Sequence, residues 1–104
     1  MEFNKIKFIG SRLNAIGMKL VGLQEIDILD GRPVIDRLIN HITKKDYDLI
    51  IIEDDSLKYA TAQEINIIGT SVKPLILIIP LGKENEPLVE LAKKILGIDI
   101  GDLK

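Results

Sequence analysis

Two unbroken aliphatic runs constrain this chain more than any other feature: Leu49-Ile50-Ile51-Ile52 and Leu75-Ile76-Leu77-Ile78-Ile79. A run of four or five apolar residues with no polar alternation marks a strand covered on both faces, the situation of parallel strands flanked by helices. Both runs fall far short of the ~20 apolar residues that a membrane-crossing helix needs, so no bilayer span is expected. The first run should lie centrally, and Pro80 closes the second.

The segments between the runs alternate in kind. Residues 5–9 alternate polar and apolar up to Gly10 and read as a first strand ending in a turn. From Ser11, a suitable N-cap, Leu13, Ile16, Leu20, Val21 and Leu23 recur at helical spacing. Gly17 weakens that helix, costing about 1 kcal/mol relative to alanine, and implies close packing on a sheet or a short helix. Gly22 is its stop. Gln24 to Leu29 alternates with period two, giving a second strand with edge character before the Asp30-Gly31 turn. Pro33 then opens a helix whose stripe is Val34, Ile35, Leu38, Ile39 and Ile42, and Lys44 and Lys45 complement its negative end. A third helix is predicted from about Leu57 to Gly69, carrying Ala60, Ala62, Ile65 and Ile68. After the second aliphatic run, Lys83-Glu84-Asn85-Glu86 reads as a polar hinge. Pro87 then starts a helix with Leu88, Leu91, Ala92, Ile95 and Leu96 on one side, and Gly97 ends it.

Strand-helix alternation of this kind requires right-handed crossovers and a parallel sheet. The expected fold is α/β: four parallel strands in order 2-1-3-4 with alternating helices, Rossmann-like or receiver-like, plus a C-terminal helix. At 104 residues there is room for one core, read as a globular domain over 1–82 and a hinge and amphipathic helix with tail over 83–104. With twenty isoleucines and fourteen leucines beside only four aromatics, that core must be packed from aliphatic side chains.

Composition also narrows function. A net charge of -2 lacks the cationic footprint of nucleic-acid binding, and Tyr47 and Tyr59 are too isolated to form a stacking platform for bases. Zero cysteines exclude thiolate metal sites and thiol nucleophiles. The opening residues show no charged region leading into an apolar one, so no signal peptide is expected. Small ligands of such sheets bind at the carboxyl ends of the strands, which reduces the search to Gly10 to Arg12, Asp30 to Pro33, Glu53 to Ser56 and Pro80 to Glu86. Gly10, Gly17 and Gly22 do not have dinucleotide-fingerprint spacing, and no Walker A sequence is present. Glu53-Asp54-Asp55 is the most chemical-looking motif, placed where a receiver domain holds a cation or accepts a phosphoryl group. The first strand, however, ends Gly10-Ser11-Arg12 where opposing carboxylates would be needed, and the bland reading is that these acids begin the third helix at its positive end. His41, the sole histidine, sits at the rim of the second helix's stripe as a solvated or half-buried side chain. No catalytic residue, metal site or cofactor is expected.

The segment Ile9-Gly10-Ser11-Arg12-Leu13-Asn14-Ala15-Ile16-Gly17-Met18-Lys19-Leu20-Val21-Gly22-Leu23 resembles the opening of the F subunit of the A-type/V-type rotary ATPases, with matching glycines at 10, 17 and 22. The similarity continues through Asp48 to Asp54, Lys73 to Pro80, and Lys93-Lys94-Ile95-Leu96-Gly97-Ile98-Asp99-Ile100, covering essentially the whole chain. Departures are Ser11, Met18 and Val21, where the family commonly has Asp, Phe and Ala. The resemblance implies a non-catalytic central-stalk rotor component of a proton- or sodium-translocating ATP synthase, cytoplasmic and peripheral to the membrane complex. It implies binding to the coiled-coil D subunit, which turns inside the A/B hexamer where the ATP chemistry lies. A C-terminal helix reaching that hexamer would use Leu88, Leu91, Ala92, Ile95, Leu96 and Ile98, while the same stripe equally fits an ordinary fourth crossover helix covering the sheet. The alternative is a receiver-like signalling or cation-binding domain built on Glu53, Asp54 and Asp55.

Overall fold

In the computed structural model, residues 3–81 are described. They run β1 (Ile6–Gly10), α1 (Arg12–Leu20), β2 (Glu25–Ile28), α2 (Arg32–Lys44), β3 (Leu49–Glu53), a 3-10 helix (Asp54–Tyr59), α3 (Ala62–Thr70) and β4 (Leu75–Ile79). All four strands are parallel, in the order β2-β1-β3-β4. That is the expected α/β topology. The predicted C-terminal helix and its stripe lie outside the described residues.

Each face of the sheet has its own core. Ile9, Ile50 and Ile52 face α2 and α3, packing with Val34, Ile35, Leu38 and Ile68. Phe8, Leu49, Ile51 and Ile79 point to the other face with Ala15 and Met18 of α1. Every residue of β3 is buried, as its unbroken aliphatic run requires. β4 differs. Although equally aliphatic, it is an edge strand, with Leu75 and Ile78 exposed and only Ile79 buried. An all-apolar run reports avoidance of charge, whereas burial also needs a neighbour on each side.

The helices depart from expectation where phase or breaks were ambiguous. Ser11 caps α1, its side chain accepting from the Asn14 N–H, and Gly22 at φ +99° follows the helix end, where the Leu23 N–H reaches the Met18 carbonyl. The face of α1 on the sheet is Asn14, Ala15, Gly17 and Met18, however, while Leu13, Ile16 and Leu20 are exposed. Gly17 is buried and α1 has only nine residues, so both expectations about that glycine hold. The predicted third helix is two pieces. The 3-10 helix ends at Tyr59, Ala60 and Thr61 are extended, and Thr61 caps α3 through a box closed by Glu64. The box takes over the first N–H groups of α3 and starts the helix there. Pro33 lies in the first turn of α2, which ends at Lys45 in the left-handed conformation.

Arg32 joins the beginnings of α2 and α3. Its guanidinium donates to both carboxylate oxygens of Glu64, at 2.7 and 2.6 Å, and to the Tyr59 carbonyl at 2.9 Å. The hydrogen bonds from Arg32, then the backbone N–H of Thr61, hold Glu64 down at about 2, and Glu64 in turn raises Arg32. A carboxyl depressed in the folded state binds protons more readily when unfolded, so it stabilises the fold above the unfolded value near 4.5 and ceases to as pH falls through about 2. Acid titration of Glu64→Gln should therefore show a flatter loss of stability below pH 4.5 than the parent, checked by urea unfolding at a series of pH values.

Candidate functional site

The winding direction reverses between β1 and β3, and the carboxyl ends of the strands at that switch point are where α/β sheets hold ligands. Gly10, Ser11 and Asn14 arrive there from β1 and α1, Glu53 and Asp54 from β3 and the 3-10 helix, and Pro80 and Leu81 from the end of β4. Glu53 occupies the centre. It is the last residue of β3, is only 3% exposed, and is held by neutral donors.

The Ser11 N–H donates to Oε1 at 2.8 Å, while the Ser11 hydroxyl and Asn14 Nδ2 each donate to Oε2 at 2.5 Å. Asn14 Nδ2 also reaches the Pro80 carbonyl at 3.4 Å. The carboxylate thus lies against the first residues of α1, where unpaired N–H groups and the helix dipole favour a negative charge. The position that a bound anion would take in such a fold is filled by the chain's own side chain. Gly10 makes room for it. A Cβ built there would stand 2.6 Å from Phe8 Cζ and 2.7 Å from Glu53 Oε1. Gly10→Ala should destabilise the fold by about 1–3 kcal/mol through overpacking, measured by chemical denaturation.

The acidic triplet does not act as a unit. Asp54 accepts from the Leu81 N–H at 3.1 Å, and Asp55 pairs with Lys58 at 3.2 Å, three residues on. Glu53 ends the strand, and the two aspartates begin the 3-10 helix, so the expectation that all three open the third helix is corrected. Three carboxylates with three different partners do not converge on one ion, and no group of three His, Asp or Glu suited to a metal occurs among the described residues. Of the other loops, Arg32 is committed to Glu64 and Asp36, while Arg12 is exposed in the first turn of α1.

A second polar cluster lies along β1, β2 and α2. Lys7, 7% exposed, pairs with Asp27 at 2.7 Å, and Arg37 reaches the same oxygen at 2.9 Å. Burial alone would raise Asp27, but the hydrogen bonds and charges of Lys7 and Arg37 outweigh it and hold the carboxyl below its usual value. The Tyr47 hydroxyl donates to Glu25 at 2.8 Å, and burial, reinforced by Glu25, pushes the phenol up to about 12. His41 is buried rather than solvated or half-buried. Nδ1 lies 3.0 Å from Asp46, the ring meets Tyr47 edge-on at 4.9 Å, and Nε2 has no hydrogen-bond partner among the described residues. The Tyr47 ring and the Asp46 carboxylate are both neighbours of the imidazole. An open depression of about 280 Å³ lies at the amino ends of β1 and β2, lined by Lys5, Gly22 and Glu25 among others, at the opposite end of the strands from Glu53.

Reasoning from sequence missed the Ser11–Asn14–Glu53 link, although its signal was present. A strand order that places β1 beside β3 brings the residue after Gly10 next to the last residue of β3. The whole arrangement falls within a known pattern, since the family profile of the ATP synthase (F/14-kDa) subunit matches residues 6–95 of the chain, spanning all the strands and helices described. The chain belongs to the ATP synthase F/14-kDa subunit family. It is 31% identical over 100 residues to the F subunit of the A-type ATP synthase of Thermoplasma acidophilum, covering 94% of this chain and 96% of that one. The corresponding F subunit of Thermoplasma volcanium is 29% identical with the same coverage. Both relatives are F subunits of A-type ATP synthases, and in this chain the switch point is closed by its own carboxylate. No helix among the described residues is long and apolar enough to cross a membrane.

Proposed function

We propose that this chain is the central-stalk rotor component of an A/V-type proton- or sodium-translocating ATP synthase, cytoplasmic and peripheral to its membrane complex. It binds the coiled-coil D subunit and helps couple ATP synthesis or hydrolysis on the A/B hexamer to ion transport. The observation that carries this reading is the family match over residues 6–95, together with F-subunit relatives of nearly the same length. The exposed apolar stripe Leu13, Ile16 and Leu20 on α1 supports a partner that packs helix on helix, since i, i+3, i+7 anchors are what a helical groove accepts. In the same reading residues 1–82 are the body and 83–104 a hinge and amphipathic helix. Leu88, Leu91, Ala92, Ile95, Leu96 and Ile98 of that helix and its tail meet the A/B hexamer.

Co-expression with the same organism's coiled-coil stalk protein, followed by size-exclusion chromatography with light scattering, tests the assignment. A stable one-to-one complex is expected, and separate elution at all salt concentrations would overturn it. Within the assembled enzyme, Leu91→Glu and Ile95→Glu should reduce the coupling of ATP hydrolysis to ion pumping several-fold while circular dichroism of the isolated chain stays at the parent value. Unchanged coupling in both variants would remove these residues from the interface.

A further inference from the structure

The nine residues of α1 carry two apolar faces. Asn14, Ala15, Gly17 and Met18 are buried against the sheet, whereas Leu13, Ile16 and Leu20 remain 44%, 53% and 68% exposed. The exposed three are spaced three and then four residues apart, the a-d-a pattern of a coiled-coil seam. The helix thus turns one face to its own core and a seam to the outside. In that frame Arg12 and Lys19 both fall at position g, about 10 Å apart along the axis. Position e is Gly17, which has no side chain, so one flank of the seam is cationic and the other uncharged.

The fold itself does not use these two cations. Both are exposed, and neither pairs with a carboxylate among the described residues, whereas Lys7, Arg32, Arg37, Lys58 and Lys73 each do. Lys19 in the last turn complements the helix dipole, but Arg12 stands in the first turn, where the dipole opposes a cation. No acidic residue occurs anywhere in α1, although the chain carries a net charge of -2. An apolar stripe alone would accept any helix. Charges flanking a seam set partner choice, and here they are of one sign.

We propose that α1 docks through this seam on a partner helix whose apolar stripe is flanked by acidic residues that face Arg12 and Lys19. The proposal rests on the stalk assignment and extends it by naming the docking face and the charge of the partner's flank. Two occupants from the chain itself lack that charge. In the same frame the stripe Leu88, Leu91 and Ile95 carries Pro87 and Lys94 at g and Ala92 at e, so it offers an acid to neither cation. A second copy of α1 would set cation against cation when antiparallel, and cation against Gly17 when parallel.

Calorimetric titration of the full chain with the same organism's coiled-coil stalk protein, at low and high salt, tests this. Binding of the parent should weaken several-fold as salt rises. The double variant Arg12→Glu, Lys19→Glu should bind at least about tenfold more weakly at low salt and gain affinity as salt rises, because like charges then oppose. Ile16→Gln should bind about tenfold more weakly at both salt concentrations, since it removes an anchor of the seam without changing charge. These side chains are exposed, so both variants should keep the parent circular dichroism. A photo-activated p-benzoylphenylalanine in place of Leu20 should cross-link to the stalk protein, and it keeps the proposal testable if a variant fails to fold. Parent affinity and salt response in both folded variants would overturn this inference and leave the stalk assignment standing, as would a cross-link confined to residues 83–104 or to a second copy. A parent that does not bind the stalk protein at all would overturn the assignment and this inference with it.

Discussion

Replacing Glu53 by alanine should lower the unfolding free energy by about 3–5 kcal/mol, because it strands several buried donors at once, each costing about 1–3 kcal/mol when left without an acceptor. The Ser11 N–H, the Ser11 hydroxyl and Asn14 Nδ2 all direct their hydrogens at this one carboxylate. The upper bound of a simple sum is not expected, since a hydroxyl can rotate to another acceptor and water can enter the space. Glu53→Gln should cost less, because one acceptor oxygen survives while its amide group turns N–H against N–H. Urea unfolding of parent, Gln and Ala variants should rank them in that order with similar m-values. Equal stability of all three would mean that the carboxylate is not what joins α1 to the end of β3.

The second large effect lies directly beneath. Phe8 is fully buried among Ala15, Met18, Leu49, Ile51 and Ile79, and its ring lies below the Gly10–Glu53 contact. Phe8→Ala should cost about 3–5 kcal/mol, the sum of lost transfer energy and the cavity left in an aliphatic core. Phe8→Leu should recover most of this, because a flexible aliphatic side chain refills much of the volume. Domains of this size have total stabilities of about 5–15 kcal/mol, so the alanine variant should sit close to its unfolding transition at ambient temperature. Thermal unfolding followed by far-UV circular dichroism provides the measurement. A change under about 1 kcal/mol, well below the usual cost of a buried ring, would show that this face of the sheet is not closely packed around it.

Both effects act at the switch point and neither involves chemistry on a bound molecule. The position where related architectures hold an anion or a metal is occupied by Glu53, and the neighbouring aspartates serve the backbone of Leu81 and the side chain of Lys58. That arrangement gathers no cation-binding cluster among the described residues. It also ties the end of β4 to α1 and the 3-10 helix at the point where residues 82–104 begin.

The order and type of the elements were legible in the sequence because they rest on short-range physics. Continuous aliphatic runs, a serine before a helix, glycine after one and proline in a first turn each express a local backbone or solvation preference that survives in the fold. The parallel sheet followed from crossover handedness and its order from the doubly wound pattern, both general rules. Family membership was legible for a related reason: spaced glycines and strand sequences persist along the chain in the same order. Tertiary contacts decided the rest. Leu13, Ile16 and Leu20 satisfy a helical period, but only the docking of α1 through Asn14, Ala15, Gly17 and Met18 sets which side meets the sheet. β4 reads like β3, and only the strand order leaves one side of it without a neighbouring strand among the described residues. Glu53 reads as one acid of three until Ser11 and Asn14, 42 and 39 residues away in sequence, surround it with donors. Periodicity measures what a segment can bury, whereas burial and hydrogen bonding depend on which distant segment arrives, and that information exists only in the assembled fold.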